Sequence, residues 1–393
     1  MPRTLWLLVI GMAVNVTGSS FLWPLNAIYM TEHLGKTLSV SGLVLMFNSG
    51  ASVIGNLFGG SLYDKIGGYK TVMLGTVITL TSLIGLTIWN GFLPYVIFLT
   101  IIGFGSGMIF PPMYAMAGNV WKEGGRKAFN AIYVAQNVGV AVGASLGGLV
   151  ASYSFHLIFL ANALMFFVFL VIAIFGYRGI QTLSTDTNRL QEKQGIQNHA
   201  KLYALLTLCV GYLLCWVGYT QWQATISAYT QELNISLRQY SLLWTINGAL
   251  IVLGQPLVNS MLRLFAKSIK KQMIIGMVIF IVSFIVAGQA QAFSGFVAAM
   301  VILTIGEMLV WPAVPTIADG LAPKGREGFY QGMVNSTATG GRMVGPLLGG
   351  ILVDLYGMSM LFNVLVGLII IAIFTTVIYD HKLKKETSIA STL

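Results

Sequence analysis

Runs of about 20 apolar residues, the length an α-helix needs to cross a bilayer, recur twelve times along this chain, each set off from the next by a short polar cluster. In approximate limits they are Leu5 to Met30, Ser39 to Leu62, Thr71 to Trp89, Leu93 to Ala117, Ala128 to Ser152, His156 to Tyr177, Leu202 to Tyr229, Tyr240 to Leu262, Gln272 to Ala290, Ser294 to Ile317, Gly328 to Asp354 and Ser359 to Tyr379. The first run follows Arg3 as a signal peptide would, but it is too long for one and eleven more follow, so it reads as a retained helix. One long polar interval divides the runs six and six. The pattern predicts an all-α membrane protein with 12 transmembrane helices in two six-helix bundles: residues 1–178, a cytoplasmic linker 179–200, residues 201–380 and a cytoplasmic tail 381–393.

Composition agrees. Over 393 residues, 56% are hydrophobic and 9% charged, with mean hydropathy +0.80, against about 25% charged residues in soluble domains. Soluble, disordered, fibrous and nucleic-acid-binding classes are excluded. The net charge of +10 is a topology signal: 19 of the 22 Lys and Arg fall in alternate loops or at the termini, on one side. Basic short loops stay in the cytoplasm, which places both termini there and the chain in the cell membrane. The same charge attracts anionic lipid heads. Cys209 and Cys215 lie in one apolar run and suggest no disulfide.

The halves echo each other at an offset near 200. Tyr29 and Glu32 after the first span match Tyr229 and Glu232 after the seventh; Gly147-Gly148 matches Gly349-Gly350. Such duplication builds many secondary transporters, with the substrate site between halves near the bilayer midplane.

The loop Gly60-Ser61-Leu62-Tyr63-Asp64-Lys65-Ile66-Gly67-Gly68-Tyr69-Lys70 resembles the signature G-x-L-x-D-[RK]-x-G-[RK]-[RK] of the major facilitator superfamily, departing at Gly68 and Tyr69. The spans, linker and repeat extend the resemblance over the whole chain. It implies that Asp64, with Lys65 and Arg126, forms a conformational latch. A carboxylate near the start of the eleventh span, around Gly328, is favoured by the unpaired amides there, and Arg126 is placed to pair with it. A solvated loop carboxylate is the alternative.

Gly139, Gly143 and Gly147 share one face of the fifth span. They resemble the antiporter signature G-x-x-x-G-P-x-x-G-G of the superfamily's drug exporters, with Ala144 in place of proline; the proline form stands in the eleventh span as Gly345-Pro346-Leu347-Leu348-Gly349-Gly350. Close helix packing explains such glycines equally well. Those exporters often carry an arginine in the fourth span, where this chain has Thr100. Proton coupling must then rest elsewhere or be absent.

Two full charges lie near mid-depth, Glu307 in the tenth span and Arg342 in the eleventh. A charge there costs at least about 2.5–3.5 kcal/mol unless paired or wet, which marks both as functional candidates. A structural salt bridge between them is the competing reading. Gly306-Glu307-Met308-Leu309-Val310-Trp311-Pro312 resembles the carboxylate segment of Gram-positive drug:proton antiporters, which implies proton coupling through Glu307 and Arg342 beside an apolar wall of Met308 and Trp311.

Helical spacing collects polar and aromatic residues into stripes: Asn15, Ser19, Trp23 and Asn26; Tyr212, Trp216, Tyr219 and Gln223; Tyr240, Trp244 and Asn247. Phe110 and Tyr114, Asn130, Gln136 and Asn137, and Asn335 and Thr339 add to them. The candidate substrate contacts are Asn15, Trp23, Asn26, Tyr114, Gln136, Trp216, Tyr219, Gln223, Trp244 and Trp311. Interfacial aromatic belts explain some of the tyrosines as well. Aromatics, amides and one carboxylate suit small amphipathic molecules, lipophilic cations among them, better than sugars. No nucleotide-binding loop, metal-spaced histidines or nucleophile triad appears, so no cofactor, metal, nucleic acid or enzyme activity is expected. The sequence points to a monomeric drug:proton antiporter. A metabolite importer and a lipid or lysolipid flippase are the alternatives.

Overall fold

The computed structural model describes residues 1–22, 26–180, 199–265, 268–381 and 383. Every regular element among them is helical. They run α1 (Arg3–Leu22), a turn Asn26–Ile28 passing into a π-helical turn Tyr29–His33, α2 (Leu38–Ile66), α3 (Gly68–Ile88), α4 (Phe92–Gly107), α5 (Phe110–Val120), α6 (Arg126–Tyr153), α7 (Phe155–Gly176), α8 (His199–Tyr219), α9 (Thr225–Glu232), α10 (Leu237–Phe265), α11 (Ile269–Gln289), α12 (Phe293–Val310), α13 (Ala313–Leu321) and α14 (Glu327–Ile378). Trp23 and most of the predicted linker lie outside the described residues.

Among the described residues, ten stretches are long and apolar enough to cross a membrane, and α10, with 29 residues, is long enough to do so. The 52 residues of α14 make two spans, since a straight helix of that length would reach about 78 Å against a hydrocarbon core of about 30 Å. The division falls at Gly357, whose φ of 78° and ψ of 172° leave helical geometry at a position few side-chain-bearing residues tolerate. All twelve predicted spans are thereby accounted for.

Three spans that the hydropathy pattern presents as continuous are broken. The fourth stops at Gly107 and resumes at Phe110, the tenth stops at Val310 and resumes at Ala313, and the seventh passes through a 3-10 turn, Thr220–Trp222. Proline explains the first two: Pro111, Pro112 and Pro312 have no amide hydrogen to continue the ladder, and Pro111 and Pro112 open α5 instead. Hydropathy is blind to such breaks because the residues stay apolar.

The chain packs as two compact units, Met1–Gly195 with Ala322–Thr339 and Ile196–Leu321 with Gly340–Leu393. In the first, α1 packs on α6 and α7, and α4 lies between α2 and α3; in the second, α12 packs on α10 and α11. The two glycine stripes do matching jobs. A Cβ on Gly139 would stand 2.7 Å from the Ala13 carbonyl oxygen and one on Gly143 2.3 Å from that of Thr17, so α6 lies backbone to backbone on α1. In the second unit a Cβ on Gly341 would stand 2.5 Å from Trp216 Cβ and one on Gly345 3.2 Å from Val217, so α14 lies equally close on α8. Gln221, fully buried, fastens this contact by donating to the carbonyls of Val217 at 2.9 Å and Gly345 at 2.7 Å. Gly143→Leu is therefore expected to cost about 1–3 kcal/mol or more, as overpacking does. The thermal midpoint of the purified protein should fall clearly below that of Gly50→Leu, whose added Cβ meets nothing within 4 Å.

Candidate functional site

In the second unit, three helices converge on Glu307. α8 presents Tyr212, Trp216 and Tyr219 at helical spacing, α10 presents Tyr240, Trp244 and Asn247, and α12 ends on Glu307 and Trp311. Because Pro312 stops α12, Trp311 sits at the break, and its indole lies flat on that of Trp216, 4.5 Å apart at 8°. Tyr212 and Tyr219 meet the Trp311 ring edge-on at 5.6 and 5.4 Å, and Phe280 closes another side at 5.5 Å. The edge-on contacts have the geometry that favours aromatic pairs.

Glu307 lies behind this cluster, 2% exposed. Its Oε1 accepts from the Tyr219 hydroxyl at 3.3 Å and its Oε2 from the Asn247 amide at 2.8 Å. Asn247 also donates to the Thr304 hydroxyl at 2.9 Å, and Thr304 is turned back onto the Met300 carbonyl at 2.7 Å. Hydrogen bonds to a charged group are worth about 1.5–3 kcal/mol each, so this pair of neutral donors offsets part of the cost of burying the carboxylate. Met308, 2% exposed, supplies apolar wall. The rings are tied in turn: the Trp244 indole donates to the Tyr240 hydroxyl at 2.9 Å, and that hydroxyl donates to the Trp222 carbonyl.

Arg342 is placed differently. It is exposed, and its guanidinium carbon lies 4.8 Å from the centre of the Trp216 ring, on the indole pair. Tyr219 lies within electrostatic reach of both Glu307 and Arg342. The indole N–H of Trp311 is buried without an acceptor, a cost of about 1–3 kcal/mol.

The first unit holds the candidate latch. Asp64, in the last turn of α2, accepts the backbone N–H of Gly328 on Oδ1 at 2.7 Å and that of Phe329 on Oδ2 at 2.8 Å. These are first-turn amides of α14, which have no partner within their own helix. Two glycines permit the approach, since a Cβ on Gly60 would stand 2.2 Å from the Gly328 carbonyl oxygen and one on Gly328 2.3 Å from that of Gly60. The same faces are joined further along by Ser336 donating to the Val53 carbonyl at 3.0 Å. Arg326 and Glu327 act electrostatically on Asp64. Lys65 is exposed, and Arg126 opens α6, half-buried.

The other sequence candidates are scattered. Asn15 is fully buried in the first unit, with neither amide atom bonded. Asn26, 4% exposed, accepts from the Tyr95 hydroxyl at 2.6 Å. Tyr114 donates to Gln136 at 2.9 Å. Gln223 is exposed on the second unit. Helical stripes identify which residues share a face, but they do not distinguish a face packed on another helix from one facing water. Thr304 and Phe280 are absent from the sequence candidates. Thr304 was findable, three residues before Glu307 on the same helix face; Phe280, from a different span, carried no signal.

Known proteins agree with this architecture. The sequence pattern of the Major Facilitator Superfamily matches residues 8–229 and 208–392. The uncharacterized MFS-type transporter YttB of Bacillus subtilis is 60% identical over 390 residues, covering 99% of this chain and 98% of that protein. The quinolone resistance protein NorA of Staphylococcus aureus is 24% identical over 368 residues, 91% of each. Among solved structures, the human organic anion transporter MFSD10 (TETRAN) superposes with a TM-score of 0.77 at 14% identity, over 96% of this chain and 100% of that one, which speaks for the fold alone. The chain belongs to the major facilitator superfamily and is a multi-pass secondary transporter, not an enzyme.

Proposed function

We propose that the protein exports small amphipathic organic compounds from the cell by alternating access, in exchange for protons, working as a monomer in the cell membrane with both termini in the cytoplasm. The observation that carries this reading is Glu307: a titratable acid, 2% exposed, bonded to Tyr219, whose ring meets both indoles of the Trp216–Trp311 stack. Desolvation favours its neutral form and a neighbouring cation its charged form, so it can exchange a proton as its surroundings change. Coupling arises because a cationic substrate and a proton both neutralise the same carboxylate, and occupancy by one disfavours the other. With Thr100 in place of the fourth-span arginine, this reading puts the exchange on the buried Glu307. The name of the S. aureus relative, a quinolone resistance protein, supports export of organic compounds.

The test is flux in proteoliposomes under an imposed pH gradient, with a lipophilic cation, a sugar and a labelled lysolipid. Accumulation of the cation driven by outward proton flow is expected. Gradient-driven sugar uptake or lipid transfer without cation flux would replace this reading with the importer or the flippase. Topology is tested separately by Ser184→Cys, against a background of two buried native cysteines. Labelling is expected from the cytoplasmic side only; labelling from outside intact cells would invert the loop-charge argument.

A further inference from the structure

The hydrogen bonds behind Glu307 run in one direction. The Thr304 hydroxyl, fully buried, gives its one hydrogen to the Met300 carbonyl at 2.7 Å, so its oxygen faces Asn247 as an acceptor. Asn247, 5% exposed, donates to that oxygen at 2.9 Å and to Oε2 of Glu307 at 2.8 Å. With the acid ionised, both neighbours of the amide nitrogen are acceptors, and the reverse orientation would set the amide oxygen against them. The amide takes its direction from these neighbours. Met300, Thr304 and Glu307 follow one another at helical spacing along α12, so one helix supplies both the acid and the fixture for its partner.

We infer that Thr304 is a positioning residue for proton exchange: by fixing the Asn247 amide it keeps Oε2 an acceptor in both states of the acid and leaves Oε1, on the Tyr219 side, to carry the proton. This rests on the proposed role of Glu307. In a neutral carboxyl the carbonyl oxygen is the better acceptor, and an N–H held on Oε2 makes that oxygen the carbonyl. Oε1 meets the Tyr219 hydroxyl at 3.3 Å, which can donate to the ionised acid and accept from the protonated one. Thr304 acts on the acid through Asn247. Without its hydroxyl the amide is free to turn, present its oxygen to a protonated Glu307 and withdraw its N–H from the ionised form. The neutral acid is then favoured. Other titratable or charged groups on the surrounding helices are Tyr212 on α8, Tyr240 on α10 with Arg238 and Arg263 at its ends, Lys270 and Lys271 in the first turn of α11, Asp319 near the end of α13, and Arg342 on α14.

The test is equilibrium binding of radiolabelled tetraphenylphosphonium to the purified full chain between pH 5 and 9. Binding of this cation is expected to rise with pH as Glu307 ionises, and to lose that dependence in Glu307→Gln. Thr304→Val, which keeps the shape but not the hydroxyl, should move the midpoint up by about one unit, the order of a hydrogen bond to a charged group. Thr304→Ala removes the same hydroxyl with less bulk and should do likewise, which carries the test if the valine variant folds poorly. Thr304→Ser should restore the parent midpoint, and Tyr219→Phe, losing a hydroxyl that serves both states, should move it less than Thr304→Val. A midpoint unmoved in the Val and Ala variants, or moved as far in Ser, or lower affinity at every pH with no shift, would make Thr304 a packing residue and overturn the inference, leaving the role of Glu307 intact. A pH midpoint that persists in Glu307→Gln would remove both.

Discussion

Glu307→Gln is expected to abolish transport driven by a pH gradient, a loss of at least about 100-fold, as removal of an essential acid or base commonly gives, while downhill flux of a neutral amphipath survives in part. Gln keeps the size of the side chain and one carbonyl acceptor for Tyr219 or Asn247, whose bonds to the acid are 3.3 and 2.8 Å. It cannot titrate. The variant also leaves the indole pair and its 4.5 Å stack untouched, so the proposed substrate contacts of Trp216 and Trp311 remain. Folding is checked by an elution profile and thermal midpoint close to those of the unaltered protein. Proton-driven flux in the Gln variant equal to that of the parent would sink the coupling mechanism and leave Glu307 as a structural acceptor for α8 and α10.

Asp64→Asn should separate binding from turnover. Asn presents one oxygen where the carboxylate presents two, so one of the amide bonds to Gly328 and Phe329 is lost along with the charge. A hydrogen bond to a charged group is worth about 1.5–3 kcal/mol and an anion at a helix N-terminus about 0.3–1 kcal/mol. Together these shift a conformational equilibrium by about one to three powers of ten. If that contact belongs to one of the states between which the transporter alternates, the shift slows cycling and leaves each site intact. Substrate affinity is expected within about twofold of the parent, while the flux rate falls about tenfold or more. Equal loss of affinity and rate would mean that Asp64 acts on the substrate site itself, and the latch would have to be abandoned. Gly328→Leu provides an independent check, since its added Cβ meets the Gly60 carbonyl oxygen at 2.3 Å: it should also slow cycling with the Asp64 side chain left unaltered.

Much of this was legible without coordinates. The twelve spans follow from hydropathy because lipid leaves the backbone no hydrogen-bond partner but itself, and each apolar run of sufficient length must close its own ladder. The glycine stripes were legible as well: Gly143 and Gly147 recur at Gly345 and Gly349, though the close contact of Gly341 with Trp216 was not. The acid at the end of the second span stood out because it sits in a loop signature among glycines and basic residues; the close approach of Gly60 and Gly328 that lets it reach α14 did not.

What the sequence by itself determined, then, was the solvent, the number of spans and which residues are chemically exceptional: Glu307 and Arg342 are conspicuous wherever the helices go. Only the tertiary structure decided which exceptional residues meet. Periodicity assigns Asn15 and Trp216 equally to a polar or aromatic stripe, yet α1 is packed so that Asn15 is fully buried, while α8 turns Trp216 onto Trp311. The bond from Asn247 to Glu307 across 60 residues and the burial of the acid while the arginine stays exposed arise from contacts between helices distant in the chain. A one-dimensional pattern records the direction of a side chain relative to its own helix axis. It carries no information on how that axis is rotated against its neighbours, and this rotation is what separates a packed amide from a bonded carboxylate.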